Sequence, residues 1–193
     1  MKRQISYMAG RKIGPRACIL DIEATSLDAD IGHLVGAGLM ELGGEFKWFY
    51  VKRPVDEAKV LKRVLKEVST YHIIFTWNGK GFDIPFLISR AIKLKLPAEE
   101  LLKPVHVDLA EFVRNNLRLH RSDLYHVARF LGIKKDLRVE GFDIPSIYLK
   151  ALRGDREAAR LIEAHCKDDL EVTRKILKKL LPIIRAKQPE LIL

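Results

Sequence analysis

The chain has 193 residues, 48% of them hydrophobic, which places it at the upper end of one ordinary domain (residues 1–193) able to bury a core without disulfide or metal staples. Its net charge of +10 is uneven: residues 1–20 carry Lys2, Arg3, Arg11, Lys12 and Arg16 with no acid, and Arg174, Lys175, Lys178, Lys179, Arg185 and Lys187 crowd the C-terminal end. Such an excess favours a polyanion such as nucleic acid over a small metabolite, although a well-solvated surface has the same composition.

No linker, low-complexity tract or long-period repeat divides the chain. After the basic lead-in, residues 17–23, 34–42 and 45–51 read as strands, the last two joined by Gly43-Gly44, a hairpin signal, to make a three-stranded meander. Residues 56–69 repeat apolar side chains at helical spacing, and residues 71–77 form a short buried strand. A helix from Asp83 to about Lys95 follows, then a brief strand at 105–109 and helical pieces at 110–117, 122–131 and 144–152. The last helix is expected from Asp155 to about Leu181, with Pro182 ending it. The order predicts an α/β fold, a mixed five-stranded sheet covered by helices. Cys18 and Cys166 lie in apolar segments without metal-ligand spacing, which fits a reduced, cytoplasmic protein, and neither a signal peptide nor a membrane-spanning run is read. Side-chain amides are few (Gln4, Asn78, Asn115, Asn116, Gln188) against 31% charged residues, which hints at a hot-growing source.

Four carboxylates carry the chemistry. Alternation along the first strand points Ala17, Ile19, Asp21 and Glu23 to one face and Cys18, Leu20 and Ile22 to the other, so two acids extend an apolar face. Buried unpaired, each would be costly or protonated; the bland alternative is salt bridges to Arg or Lys at the sheet end. The pentapeptide Gly-Phe-Asp-Ile-Pro occurs at 81–85 and 141–145. Asp83, in the first copy, emerges where a strand gives way to a helix, the usual place for sites in open α/β sheets, whereas Asp143 reads as a helix cap. In the last helix, Ile162, Cys166, Asp169, Thr173, Ile176 and Leu180 form an inward stripe, with Asp168 rotated about 100° away. His165, one turn before Asp169, can reach the same pocket, either as a packed core residue or as a base or water-orienting group. Several carboxylates without a cysteine pair suit two Mg²⁺ or Mn²⁺ ions, which would activate water and stabilise the leaving oxygen in phosphodiester hydrolysis.

At these residues the chain resembles the DEDD superfamily of 3′ to 5′ exonucleases, which have a ribonuclease H-like fold. Asp21-Ile22-Glu23 is similar to the first exonuclease motif, residues 78–87 (NGKGFDIPFL) to the second as it occurs in family B DNA polymerases, and residues 165–169 (HCKDD) to the third. Three motifs in order on the right elements are far more specific than a lone Asp-x-Glu. The resemblance implies that Asp21 bridges two divalent ions, that Glu23 and Asp169 complete the site of the ion that activates water, and that Asp83 acts through metal-bound water. His165 departs from the pattern: one branch of the superfamily has Tyr four residues before the final Asp and the other has His five before it, and here a His stands at the Tyr spacing.

Other positions admit two readings. The resemblance gives Thr25, Ser26 and Leu27 contacts with the terminal nucleotide, against a plain turn. Asn78 either holds the loop before Asp83 or touches substrate; Trp77, Phe82 and Phe86 either stack on bases or pack in the core; Asp108 either caps or joins the site. Arg114, Arg118, Arg121, Arg129, Lys134, Lys135 and Arg138 form a basic stretch suited to a strand's phosphates, and the tail at 188–193 (QPELIL) could dock on a protein partner or on its own domain. The expected protein is therefore a metal-dependent 3′ to 5′ exonuclease acting on single-stranded nucleic acid, DNA rather than RNA, and releasing 5′-mononucleotides. Its alternatives are a non-catalytic nucleic-acid-binding or replication-accessory module of the same fold, and a nuclease that cuts internally.

Overall fold

The computed structural model describes residues 15–136, 139 and 141–189, together with the backbone of β1 (Tyr7–Met8) and β2 (Arg11–Lys12), a short antiparallel hairpin that no periodicity in the basic lead-in foretold. The main sheet contains β3 (Ala17–Ala24), β4 (Leu34–Glu41), β5 (Phe46–Tyr50), β6 (Ile73–Thr76) and β7 (Val105–Asp108). Its order is β5-β4-β3-β6-β7, with β3 antiparallel to β4, β4 antiparallel to β5, and β6 parallel to both β3 and β7. The expected mixed five-stranded sheet is present, and β3 lies at its centre.

Six helices cover the sheet among the described residues: α1 (Glu57–Val68), α2 (Asp83–Lys93), α3 (Leu109–Asn116), α4 (Leu124–Phe130), α5 (Ile144–Leu152) and α6 (Arg156–Lys187). The alternation of β3 divides the core as its sequence implied: Cys18, Leu20 and Ile22 pack towards α1 and α2, and Ala17 and Ile19 towards α3, α4 and α6. Asp21 and Glu23 therefore face the side on which α6 crosses. That crossing is close because β4 has no side chain where the helix passes: a Cβ on Gly38 would stand 2.5 Å from Cys166 Sγ and 2.7 Å from Leu170 Cδ1. Between β4 and β5, Gly44 takes a φ of +99°, which a glycine adopts without strain, and its amide donates to the Glu41 carbonyl at 2.8 Å, closing the hairpin.

Helix α6 does not stop at Pro182. Proline removes one helical hydrogen bond and crowds the preceding turn, at a cost of about 3 kcal/mol, but Leu180 and Ile184, on either side of it, are both buried in the core beneath α6. Burying a side chain the size of isoleucine returns about 1.5–3 kcal/mol, so packing carries the helix on to Lys187. Asp143 also departs from expectation. It occupies the position before α5, but its φ and ψ of −81° and −23° are helical, and its carboxylate makes no capping bond. The extended backbone that aims a capping oxygen at the first free amides is missing there.

On the opposite face, Glu57 and Arg90 form an ion pair whose side chains are 3% and 2% exposed. Glu57 Oε1 accepts from Arg90 Nε at 2.8 Å and from the Leu34 amide at 2.9 Å, while Arg90 Nη1 donates to the Ala29 carbonyl at 2.9 Å and His33 Nδ1 lies 3.2 Å from Glu57 Oε2. Burial alone would raise the Glu57 carboxyl, but Arg90, the Leu34 amide and His33 outweigh it and hold the group below its ordinary range. Through Ala29, His33 and Leu34, the pair fastens both limbs of the loop that follows Glu23.

Candidate active site

Asp21 and Glu23 stand at the C-terminal end of β3, where a register shift against β4 falls between Glu23 and Ala24. Asp83 opens α2, and its Oδ1 accepts from the Ile22 amide at 3.0 Å, which ties the second motif to the first. The loop leading to it is held by Asp108. That carboxylate accepts from the Asn78 amide at 3.1 Å and the Lys80 amide at 2.9 Å, and also caps α3 through the Glu111 amide at 3.1 Å. Asn78 has a φ of +61°, and its carbonyl accepts from Gly81 and Phe82; Asn adopts this left-handed conformation more readily than most residues. Its observed bonds therefore hold the loop before Asp83.

Helix α6 brings the remaining groups. His165 is buried, with Nε2 3.7 Å from Glu23 Oε1 and 3.9 Å from Asp169 Oδ2, and its Nδ1 has no hydrogen-bond partner among the described residues. Asp169 Oδ1 is in contact with Lys135 Nζ, and Asp168 Oδ2 lies 4.0 Å from the same ammonium. The Cys166 thiol donates to the backbone carbonyl of Asp21 at 3.9 Å, and one ligand atom each from Asp21, Glu23 and Cys166 lie within 4.8 Å of one another.

Electrostatics describe a strained cluster. Burial raises the Asp21 carboxyl to about 6, with Cys166 and Lys135 pulling the other way. Glu23 is raised well above its ordinary value by burial and then by the charges of Asp21 and Asp83; Asp83 is raised by burial and then by Asp21. Burial, followed by the charge of Lys135, depresses His165 to about 4, against a small opposing pull from Asp143. Burial and the neighbouring acids keep Cys166 protonated, so it offers a neutral S–H rather than a thiolate. The available donors are then carboxylate oxygens, a set that fits hard divalent cations such as Mg²⁺ or Mn²⁺ and disfavours a thiolate zinc site.

These shifts predict how metal-free stability depends on pH. Asp21 binds its proton more tightly in the fold, so its contribution falls as pH rises from its ordinary 3.8 towards about 6. His165 works in reverse: it is neutral in the fold and protonated in the unfolded chain, so its contribution grows between about 4 and 6.5. The two offset each other there, whereas Glu23 and Asp83 extend their penalty to higher pH. In chelator, the Tm is expected to fall as the pH rises beyond about 6; a flat or rising Tm there, read by thermal denaturation, contradicts the assignment.

The remaining candidates separate by position. Thr25 Oγ1 accepts from the His33 amide at 2.9 Å and its own amide donates to the His33 carbonyl at 3.0 Å, so it closes the loop. Leu27 is 78% exposed and, with Phe82, lines an open groove of about 540 Å³ between this loop and α2. Phe86 is buried with its ring 5.6 Å from that of Phe82, and Trp77 packs against the core beneath α6. Of the basic stretch, Arg114, Arg118, Arg129 and Lys134 are exposed and Arg121 pairs with Asp123. Lys135 turns inward, and Arg138 lies outside the described residues, as does the tail from 190 to 193. The inward Lys135 and the half-buried Asp168 had no distinguishing mark in the sequence: one is a lysine among many, the other a neighbour of the stripe residue. No helix among the described residues is long and apolar enough to cross a membrane.

Comparison with known proteins agrees with this fold. A 31% identical stretch of 106 residues matches a DNA polymerase of Pyrococcus glycovorans, covering 51% of this chain and 13% of the polymerase. DNA polymerase 1 of Pyrococcus abyssi is 26% identical over 155 residues, covering 69% of this chain and 20% of its own length. The chain thus spans a fifth or less of these relatives. The solved structure of the family B DNA polymerase from Pyrobaculum calidifontis superposes with a TM-score of 0.77 at 20% identity, over 92% of this chain and 26% of that one, a likeness of fold. The RNase_H_2 family model matches residues 18–181, from the strand of Asp21 into the helix of Asp169, and the chain belongs to the RNase_H superfamily.

Proposed function

We propose that the protein is a metal-dependent 3′ to 5′ exonuclease that releases 5′-mononucleotides from single-stranded nucleic acid. The observation that carries this reading is the convergence of Asp21, Glu23, Asp83 and Asp169 from three separate elements, with burial penalising the charges of the first three and carboxylate repulsion adding to it at Glu23 and Asp83. A fold tolerates such a cluster when cations neutralise it. Bound Mg²⁺ or Mn²⁺ would supply an activated water and charge for the leaving oxygen. Asp21, Glu23, Asp83 and Asp169 would hold these ions through their carboxylate oxygens, with Asp21 and Glu23 held from β3, Asp83 from the start of α2 and Asp169 from α6. The kinship with chains named DNA polymerases favours DNA over RNA. Leu27 and Phe82 line the approach for the terminal nucleotide, Thr25 and Asn78 hold the loops that carry them, and the exposed bases around α4 take the phosphates behind it.

His165 is the water-orienting group in this reading. Depressed to about 4, the imidazole is neutral at working pH and accepts a hydrogen bond instead of storing a proton. Replacing it with Ala is expected to lower turnover at least about tenfold while metal binding is kept; unchanged turnover in single-turnover assays removes the role.

A non-catalytic nucleic-acid-binding module is favoured by one observation, the ammonium of Lys135 resting on Asp169. An end-labelled oligonucleotide separates the readings. With Mg²⁺ or Mn²⁺ it should shorten stepwise from its 3′ end, and not with the Asp21→Ala protein. Internal cuts would favour an endonuclease, and binding without metal-dependent cleavage would favour the module.

A further inference from the structure

The acid cluster already contains one cation of the chain's own. Lys135 Nζ contacts Asp169 Oδ1 and lies 4.0 Å from Asp168 Oδ2, with the three side chains only 10%, 21% and 16% exposed. Its charge reaches further, countering the raised carboxyls of Asp21 and Glu23. The segment that delivers it is anchored two residues earlier, where the Ile133 side chain packs against the core and its amide donates to the Ala128 carbonyl at 2.8 Å. The ammonium is therefore brought to the acids by a fixed stem on a flexible four-carbon arm.

Resting on the metal-site reading above, we propose that Lys135 is the built-in counter-ion of the metal-free site, that it exchanges for a divalent cation at Asp169, and that Asp168 is the carboxylate to which it retires. The physical case is one of competition. An oxygen of Asp169 cannot hold an ammonium and a divalent ion at contact distance together, because the two cations repel. A lysine suits this service because its charge is compact and its arm carries no geometric demand, whereas a guanidinium would lock a planar, two-pronged pair. Asp168 follows at about 100° around the helix, outside the ring of acids yet within the arm's reach. The ammonium thus occupies, in the metal-free protein, the carboxylate a metal ion would need, and metal affinity is held below what the bare acids would give.

The test measures Mn²⁺ binding to the full chain by isothermal titration, without nucleic acid, in the parent protein, in Lys135→Met and Lys135→Gln, in Asp168→Asn, and in the Lys135→Met/Asp168→Asn pair. Removing the lysine is expected to tighten the first Mn²⁺ by about fivefold or more. It should also lower the metal-free Tm, and that gap should close at saturating Mn²⁺. Asp168→Asn should weaken Mn²⁺ binding only while Lys135 is present, so that its effect disappears in the double variant. Equal or weaker Mn²⁺ binding by both lysine variants overturns the exchange, as does an Asp168→Asn effect that is the same with and without Lys135. A parent protein that binds no Mn²⁺ sinks the exchange and the metal site together. A parent that binds Mn²⁺ and follows the expected pattern, yet cleaves no oligonucleotide, sinks only the nuclease reading.

Discussion

Asp21→Asn is expected to lower metal-dependent cleavage by about a thousandfold or more while leaving the metal-free protein more stable than the parent. Asn keeps the shape and an acceptor oxygen but gives up the carboxylate whose charge acts on both Glu23 and Asp83. Metal-held charge contributes several kcal/mol to a phosphoryl transition state, and each 1.4 kcal/mol is a factor of about ten in rate. The stability change has the opposite sign because the folded site raises the Asp21 carboxyl to about 6, so its charge opposes folding at neutral pH. The combination separates function from folding: a variant that is inactive and melts higher cannot be dismissed as misfolded. Loss of activity together with a lower Tm in chelator would mean that Asp21 stabilises the fold, contrary to the account. Single-turnover cleavage and thermal denaturation of one preparation decide between them.

Arg90→Met is expected to destabilise the protein by about 3–5 kcal/mol, since it strands the Glu57 carboxylate in the core without its cation. For a chain of this size that corresponds to a fall in Tm of roughly 10 °C. The structural consequence is local to function. Arg90 also holds the Ala29 carbonyl, and Glu57 holds the Leu34 amide and His33, so the loop carrying Thr25 and Leu27 loses both of its inner anchors. Where the fold survives, KM for oligonucleotide should rise more than kcat falls. Replacing both partners by apolar residues should recover much of the lost stability, because the cost lies in the unpaired charge. The pair's own contribution is present at neutral pH and is lost as pH drops below the ordinary Glu value of 4.5, since the folded carboxyl is the more acidic. A Tm unchanged by Arg90→Met, read by calorimetry, would contradict the role given to this pair.

Local periodicity carried most of the fold. The strict alternation of Ala17 to Glu23 already assigned two faces to β3, and the three-and-four spacing from Ile162 to Leu180 already turned Asp169 and His165 inward, because each pattern is set by backbone geometry that a short segment reports on its own. What stayed hidden was decided at a distance. Pro182 looks like a helix end until Ile184 is seen to be buried beyond it. Asp143 has a capping residue's identity but lacks the backbone angles to cap. Glu57 and Arg90 are separated by 33 residues, and either alone reads as a charged residue on an amphipathic helix. Lys135 belongs by composition to a basic, solvent-facing stretch; only the approach of α4 to α6 sends it into the acids instead. Charge partners across elements leave no periodic trace, so a sequence names the acids of a site more readily than the cations that compensate them.

Cations shared by these acids would be visible directly. Crystals equilibrated with Mn²⁺ and measured at the manganese absorption edge should give anomalous peaks within coordination distance of Asp21, Glu23, Asp83 and Asp169, with Asp21 between them and Lys135 withdrawn from Asp169. Density with no anomalous peak at these carboxylates, or with manganese bound elsewhere and Lys135 still seated on Asp169, would contradict this sharing.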